Sequence, residues 1–265
     1  MKLSTWTFII KRMIYPHNMI GLLRFFARIK NLQPLFDVMR FNRTDELDIR
    51  LDGHLLRFND LALENVSNLY EIYGKENYKC NGDVNTVLDL GAYQGFYSLY
   101  AMIRYPRARI YAYEPLLSNY HKLLENIRKN NLAEGRFMSF NMAVADRKGK
   151  QDLYVNSQAE MGSSLMFRTA QSIQVDSVTM ADIFHDNNLE TVDVLKMDIE
   201  GAEYGVIRSA DSEIMRRINN IIAELHPMPG EDICDFIQLL RELGFFLKSV
   251  DKPGMIYFFT RGCCN

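Results

Sequence analysis

The sequence has few of the features that mark secreted, membrane-spanning or nucleic-acid-binding proteins. Its four cysteines are Cys80, Cys234, Cys263 and Cys264. Because their spacing fits neither a metal site nor a disulfide framework, we expect reduced thiols in a cytoplasmic protein. No apolar run reaches the ~20 residues of a membrane-spanning helix, and we expect no signal peptide because no cleavage pattern is present. The formal net charge of −2 provides no field that would attract nucleic acid.

What the sequence does contain is enough for one α/β domain with an extension. The chain has 265 residues, 48% of them hydrophobic, which is ample for a core. Its first 43 residues carry eight Lys or Arg and a single Asp, a local charge of +7. We therefore predict a basic amphipathic helical extension over residues 1–45 and a main domain over residues 46–265. We expect the extension to cap the main domain or form a homodimer contact, with peripheral binding to an anionic membrane as the alternative.

The most informative stretch is Thr86–Tyr100, TVLDLGAYQGFYSLY. Its pattern predicts a buried strand over Thr86–Leu90, a glycine turn and a helix, an arrangement that lets backbone approach a ligand closely. The spacing D-x-G-x-x-x-G differs from the G-x-G-x-x-G of dinucleotide sites. An acid here would repel a diphosphate but suits a cationic, hydroxyl-bearing ligand such as S-adenosylmethionine. The candidate cofactor-binding residues of this turn are Asp89, Gly91, Ala92 and Gly95.

A second acid ends the next predicted strand, Ala108–Tyr113. Glu114 lies 25 residues after Asp89, about the length of one βαβ unit. An acid at this position is the usual hydrogen-bond acceptor for a ribose diol. A carboxylate that only caps the following helix would give the same sequence pattern. We expect both carboxylates to face one shared cavity.

The third predicted strand, Arg136–Ala145, should end at the same edge of the sheet. Its candidate adenine-lining residues are Asn141, Ala143 and Val144. Beyond it, the polar loop 156–169 is long for a compact domain. Its candidate acceptor-binding residues are Ser163, Ser164 and Arg168, and a mobile insertion without chemistry explains the loop equally well.

Carboxylates crowd the end of a further predicted strand, Val192–Met197. Asp198, Glu200 and Glu203 follow it in the segment KMDIEGAEY. Carboxylates this close repel one another, so we expect a cation nearby: a sulfonium, a metal ion or the buried Lys196. His226 follows the next strand, on the same edge of the sheet.

Five segments occur in the order found in the FkbM family of methyltransferases, which this chain resembles between Leu55 and Gly244. They are VLDLGAYQGFYSL, AYEP, NMAVADRKG, DVLKMDIEGAE and IIAELHP. The resemblance implies a Rossmann-like class I methyltransferase: a mostly parallel, seven-stranded sheet with a C-terminal antiparallel hairpin. It also implies that Asp89, Gly91 and Gly95 contact the methionine part of S-adenosylmethionine and that Glu114 contacts its ribose. Asp198, Glu200 and Glu203 fall on the acidic motif of the family.

The predicted activity is O-methylation of a hydroxyl on a sugar, glycan or other small natural product. We expect His226 to take the hydroxyl proton, with Asp198 or Glu200 orienting His226 or the acceptor. A divalent metal held by Asp198, Glu200 and Glu224 is compatible with the sequence but not required. The alternative function is a non-catalytic scaffold that binds S-adenosylmethionine or a membrane. The glycine pattern disfavours a nicotinamide oxidoreductase.

Overall fold

The computed structural model describes residues 19–132, 135–155, 165–166 and 171–261. The α-helices are α1 (Met19–Arg28), α2 (Gln33–Phe41), α3 (Leu63–Leu69), α4 (Phe96–Arg104), α5 (Leu117–Asn130), α6 (Met180–Asp186), α7 (Glu203–Ser209), α8 (Ser212–Arg216) and α9 (Ile233–Glu242). A π-helix spans Tyr70–Lys75, and a 3₁₀ turn spans Lys252–Gly254. The strands are β1 (Thr44–Leu51), β2 (His54–Leu61), β3 (Thr86–Leu90), β4 (Arg109–Tyr113), β5 (Phe137–Phe140), β6 (Ala143–Val144), β7 (Gly149–Tyr154), β8 (Ser172–Val178), β9 (Val192–Met197), β10 (Ile218–Glu224), β11 (Phe246–Asp251) and β12 (Ile256–Thr260). The loop candidates Ser163, Ser164 and Arg168 and the cysteines Cys263 and Cys264 lie outside the described residues.

The central sheet has seven strands in the order β11-β12-β10-β9-β3-β4-β5. The five strands from β10 to β5 are mutually parallel, whereas β12 runs antiparallel to both β10 and β11. The Rossmann-like fold with a C-terminal antiparallel hairpin is thus confirmed. Because parallel strands are covered on both faces, their residues are almost all buried. The carboxyl ends of β3, β4 and β9 meet at one edge, where ligands bind in such sheets.

The predicted third strand, Arg136–Ala145, is wrong as a single element. Only β5 joins the central sheet, while β6 belongs to a separate three-stranded sheet in the order β6-β8-β7. The break falls at Asn141, whose side-chain amide donates to the backbone oxygens of Glu114 at 2.9 Å and Pro115 at 3.0 Å. These oxygens lie just past the end of β4, so the amide replaces further strand pairing and the chain turns away.

The described part of the predicted extension is helical and packs on the main domain. Phe25 of α1 is fully buried, and its ring meets that of Tyr70 edge-on at 5.6 Å. Arg24 donates to the Gly74 backbone oxygen at 3.0 Å, and Arg28 donates to Glu76 at 3.0 Å. The outward apolar side chains of α1 and α2 are exposed; they include Ile20, Leu23, Phe36 and Phe41. Contact of this surface with a membrane or a second copy stays a prediction.

None of the helices within the described ranges is both long enough and apolar enough to pass through a bilayer.

Candidate active site

A cavity opens at the carboxyl edge of the central sheet. Six residues predicted for the site line it together: Gly91, Glu114, Ala143, Val144, Asp198 and Glu200. They come from the ends of β3, β4 and β9 and from β6, so the fold gathers segments that are far apart in the chain. Five other residues that were predicted as cofactor-binding or catalytic do not line it: Asp89, Ala92, Gly95, Asn141 and His226.

Asp89 is the main correction. Its side chain is fully buried, with Oδ2 accepting from the Ser98 hydroxyl at 2.6 Å and Oδ1 lying 3.3 Å from Lys196 Nζ. Since its carboxylate is engaged behind the cavity, the prediction that Asp89 and Glu114 both face the cavity is wrong. Only Glu114 does so.

Lys196 is the cation around which this edge of the sheet is arranged. Its side chain is 6% exposed, and its Nζ donates to the Gly91 backbone oxygen at 2.7 Å. Asp198 Oδ2 lies 3.8 Å from the same ammonium. Burial alone would lower the pKa of Lys196, but the carboxylates of Asp89 and Asp198 more than offset it, so the net pKa is raised and the side chain stays charged.

Gly91 is held where only glycine fits. Its φ is +73°, and a Cβ there would lie 1.8 Å from the Asp198 backbone oxygen. The two strand ends therefore touch through backbone alone, which lets Asp198 reach the cavity. Gly95 also has a positive φ, +81°, at the start of α4, while the Ala92 N–H donates to the Tyr113 backbone oxygen at 2.9 Å. Gly95 and Ala92 therefore shape the turn but do not line the cavity.

Glu114 presents a fixed carboxylate to the cavity. The backbone N–H of Tyr93 donates to its Oε2 at 2.8 Å, and that of Leu116 donates to its Oε1 at 2.9 Å. Burial raises the pKa of Glu114 to about 7, with the two backbone hydrogen bonds and the Lys196 charge opposing the rise. A carboxylate oriented this way can accept hydrogen bonds from two adjacent hydroxyls of a ligand.

The acidic turn after β9 is built around Glu203. This side chain is fully buried, and its carboxylate accepts from the backbone N–H groups of Ile199 and Gly201, each at 2.9 Å. These bonds support two successive left-handed residues, Glu200 with φ +53° and Gly201 with φ +100°. Such a conformation is uncommon for a residue with a Cβ, and it turns Glu200 into the cavity wall.

His226 lies behind this turn, between two carboxylates. Its Nδ1 is 3.1 Å from Glu203 Oε1, and its Nε2 is 3.4 Å from Glu200 Oε2. Burial lowers the pKa of His226, but the hydrogen bond and charge of Glu203 outweigh it and raise the pKa to about 10. Burial, followed by repulsion from Asp198, raises the pKa of Glu200 to about 7. The predicted proton acceptor is thus a positively charged partner of Glu200, and Glu200 is the group that reaches the cavity.

The predicted metal-binding set is also changed. Within the described residues, Asp198, Glu200 and His226 form a group whose ligand atoms all lie within 4.8 Å of one another. Glu224 does not belong to it, because its Oε2 accepts from the Tyr78 hydroxyl at 3.3 Å instead. The donor set fits a divalent cation. Glu203 would accept a hydrogen bond from Nδ1 of His226, as carboxylates commonly do for metal-bound histidines.

Several residues that line the cavity were not among those predicted from the sequence. They include Asn68, Tyr93, Tyr113, Asn119 and Leu153. Tyr93 lies within the glycine turn and Tyr113 precedes Glu114, so their positions in the motifs were a usable signal. Asn68 and Leu153 come from α3 and β7, which local pattern does not connect to the cavity.

Comparison with known proteins identifies the family. The FkbM methyltransferase domain matches residues 89–247, more than half of the chain. Methyltransferase 1 of Beauveria bassiana is 26% identical over 190 residues, which cover 64% of this chain and 76% of that protein. The 31-O-demethyl-FK506 methyltransferase FkbM of Streptomyces tacrolimicus is 24% identical over 200 residues, 65% of this chain and 76% of that protein.

A solved structure shows the same fold. The crystal structure of methyltransferase FkbM from Methylobacillus flagellatus KT superposes with a TM-score of 0.51 at 14% identity. The superposition covers 71% of this chain and 46% of that one. The chain belongs to the FkbM methyltransferase domain family and is an S-adenosylmethionine-dependent methyltransferase.

Proposed function

We propose that this protein transfers the methyl group of S-adenosylmethionine to a hydroxyl oxygen of a sugar, glycan or other small natural product. The observation that carries the proposal is that Glu114 and the acidic turn at Asp198 and Glu200 line one cavity. A diol-binding carboxylate and a cation-binding cluster in one place suit a ligand that is both a nucleoside and a sulfonium. The name of the Streptomyces relative, a methyltransferase of 31-O-demethyl-FK506, is consistent with transfer to oxygen.

The cofactor contacts follow from the lining residues. Glu114 accepts hydrogen bonds from the ribose hydroxyls, and the apolar side chains of Ala143 and Val144 flank the adenine. The missing Cβ of Gly91 lets the methionine part approach the backbone. Asp89 acts indirectly, because it holds Lys196, which in turn fixes the Gly91 carbonyl.

In the proposed reaction, the acceptor oxygen attacks the methyl carbon in line with the carbon–sulfur bond. The new carbon–oxygen bond forms as the carbon–sulfur bond breaks, the sulfonium becomes a neutral thioether, and the hydroxyl proton passes to the Glu200 carboxylate. Glu200 is chosen over His226 on geometry: it lines the cavity, whereas both ring nitrogens of His226 face carboxylates.

The donor set of this site would also allow a divalent cation to bind. Asp198, Glu200 and His226 would hold the cation, which would polarise the acceptor hydroxyl. Treatment with EDTA followed by dialysis distinguishes the site with a cation from the site without one. Activity that survives leaves Glu200 as the proton acceptor, whereas loss of activity that Mg²⁺ or Mn²⁺ restores makes Glu200 a ligand.

The proposed activity can be tested with a labelled methyl donor. We expect label from S-adenosyl[methyl-¹⁴C]methionine to enter at least one compound of a panel of glycosides, glycan extracts and hydroxylated natural products. The label should resist mild base and acid, as a methyl ether does and a methyl ester does not. Tight binding of S-adenosylhomocysteine without transfer to any hydroxyl, amine or carboxylate acceptor would instead favour the non-catalytic scaffold.

Cofactor affinity should depend on pH through Glu114. Since its pKa in the empty cavity is about 7, the carboxylate becomes the better diol acceptor only as pH rises through that value. The facing charge is Lys196, which stays ionised over this range. We expect S-adenosylhomocysteine to bind about tenfold more tightly at pH 8 than at pH 6, as measured by calorimetry.

The control for this pH dependence is Glu114→Gln, which should weaken binding and flatten the pH profile. A profile that keeps its slope in Glu114→Gln would assign the titration to another group.

The effect of Glu114 on the stability of the empty protein changes with pH in the opposite direction to its effect on cofactor affinity. Because the folded pKa lies above the unfolded one, the contribution of Glu114 to the stability of the empty protein is present at low pH and is lost as pH rises through about 7.

A further inference from the structure

A second cavity lies beside the acidic turn. Gly201 of that turn lines it, together with Gly205 on α7 and Met228 after β10. Leu165 lines both this cavity and the one that contains Glu114. Gly201 directly follows Glu200, the residue proposed to take the acceptor proton, so the second cavity adjoins the turn that carries Glu200, although Glu200 itself lines only the cavity that contains Glu114.

Tyr204 places an unused polar group in the wall of this second cavity. Its side chain is 1% exposed, and its hydroxyl has no hydrogen-bond partner among the described residues. The ring is fixed edge-on against Phe236, with centroids 5.0 Å apart. Buried hydroxyls almost always have partners, so the Tyr204 hydroxyl requires one that the described residues do not supply.

The charges in the lining balance one another. Asp146 and Arg147 are adjacent and of opposite sign, and Arg208 donates to Glu231 Oε1 at 2.7 Å. A site of this kind selects neither an anion nor a cation. Its carboxylate, amide and phenol oxygens instead suit hydroxyl groups, which both donate and accept hydrogen bonds.

We propose that the second cavity binds the body of the methyl acceptor, an uncharged polyhydroxylated ring, with the Tyr204 hydroxyl as its buried polar anchor. The inference rests on the proposed function, because it takes the acceptor to be a hydroxyl compound. Asp146 and Gln151 offer further acceptors for ring hydroxyls, and Met228 and Pro229 offer apolar surface to the C–H groups of the ring.

Two variants and a matched control test the site. Gly205→Leu fills the cavity: a Cβ at this position meets only the Asp146 Cβ, at an ordinary 3.7 Å, and Gly205 does not line the cavity that contains Glu114. Tyr204→Phe removes only the hydroxyl. Tyr97→Phe removes an equally buried hydroxyl that lacks a partner among the described residues but lines neither cavity.

The probes are uncharged methyl hexopyranosides, observed by saturation-transfer NMR with S-adenosylhomocysteine bound. We expect binding of at least one of them to the wild-type protein, loss of that binding in Gly205→Leu, and a three- to tenfold weaker Kd in Tyr204→Phe, about the value of one neutral hydrogen bond. Tyr97→Phe should match the wild type. Calorimetry should show unchanged S-adenosylhomocysteine affinity in all three variants, which also shows that they fold.

Failure of this inference is separable from failure of the proposed function. Glycoside binding that persists in Gly205→Leu, or no glycoside binding to the wild-type protein, overturns the second cavity as the acceptor site. Methyl transfer to hydroxyl compounds that is unaffected by Gly205→Leu overturns it too, while leaving O-methylation intact. If no hydroxyl compound of the labelled-donor panel receives methyl, the O-methylation proposal is overturned instead, whether or not glycosides bind in the second cavity.

Discussion

We expect Glu200→Gln to lower kcat for methyl transfer by about 10³-fold, within the ~10²–10⁴ that a positioned general base contributes. The substitution keeps the size and hydrogen-bonding reach of the side chain but removes its capacity to take a proton. Affinity for S-adenosylhomocysteine should stay within about twofold, because the carboxylate proposed to bind the ribose diol is that of Glu114, which backbone N–H groups hold in place. The measurements are kcat with an acceptor found in the labelled-donor screen, and calorimetry.

The control for this substitution is Glu190→Gln, an exposed acid before β9, which should leave kcat and cofactor affinity unchanged. His226→Gln should lower kcat less than Glu200→Gln does, because the imidazole positions Glu200 from outside the cavity. If His226→Gln lowers kcat more than Glu200→Gln does, and Glu200→Gln retains turnover, the proton acceptor is His226 and not Glu200.

The second large effect is on stability. We expect Lys196→Met to lower the free energy of unfolding by about 3–5 kcal/mol, the usual result of removing one partner of a buried ion pair. The loss arises because the fully buried carboxylate of Asp89 is left without its cation. The Gly91 carbonyl also loses the donor that holds it at 2.7 Å. Urea unfolding at pH 7 measures the change.

A double-substitution cycle identifies the cause. Lys196→Met combined with Asp89→Asn should recover most of the lost stability, because the unpaired charge is removed while Ser98 can still donate to the new amide oxygen. Lys150→Met is the matched control: it removes an exposed strand lysine paired with Asp176, and we expect a change below about 1 kcal/mol. Additive effects of the two buried substitutions would contradict a direct ion pair.

The sequence by itself determined the central strands and the location of the ligand edge. The predicted spans Thr86–Leu90 and Val192–Met197 coincide with β3 and β9, because a buried parallel strand is a continuous apolar run ended by polar residues or glycine. Glu114 and Asp198 were placed at the cavity for the same local reason: each directly follows such a run, and strand ends share an edge.

Only the tertiary structure decided which of the acids faces a ligand. Asp89 and Lys196 are register partners on β3 and β9, although more than a hundred residues separate them in the chain. The order of strands in the sheet creates this pairing and turns Asp89 away from the cavity. In the same way, the contact between the first residue of α7 and the segment after β10 brings Glu203 to His226 and makes the histidine a partner of carboxylates. Local patterns fix where a side chain lies along its strand, whereas its charge partners come from neighbouring strands and helices whose order those patterns do not encode.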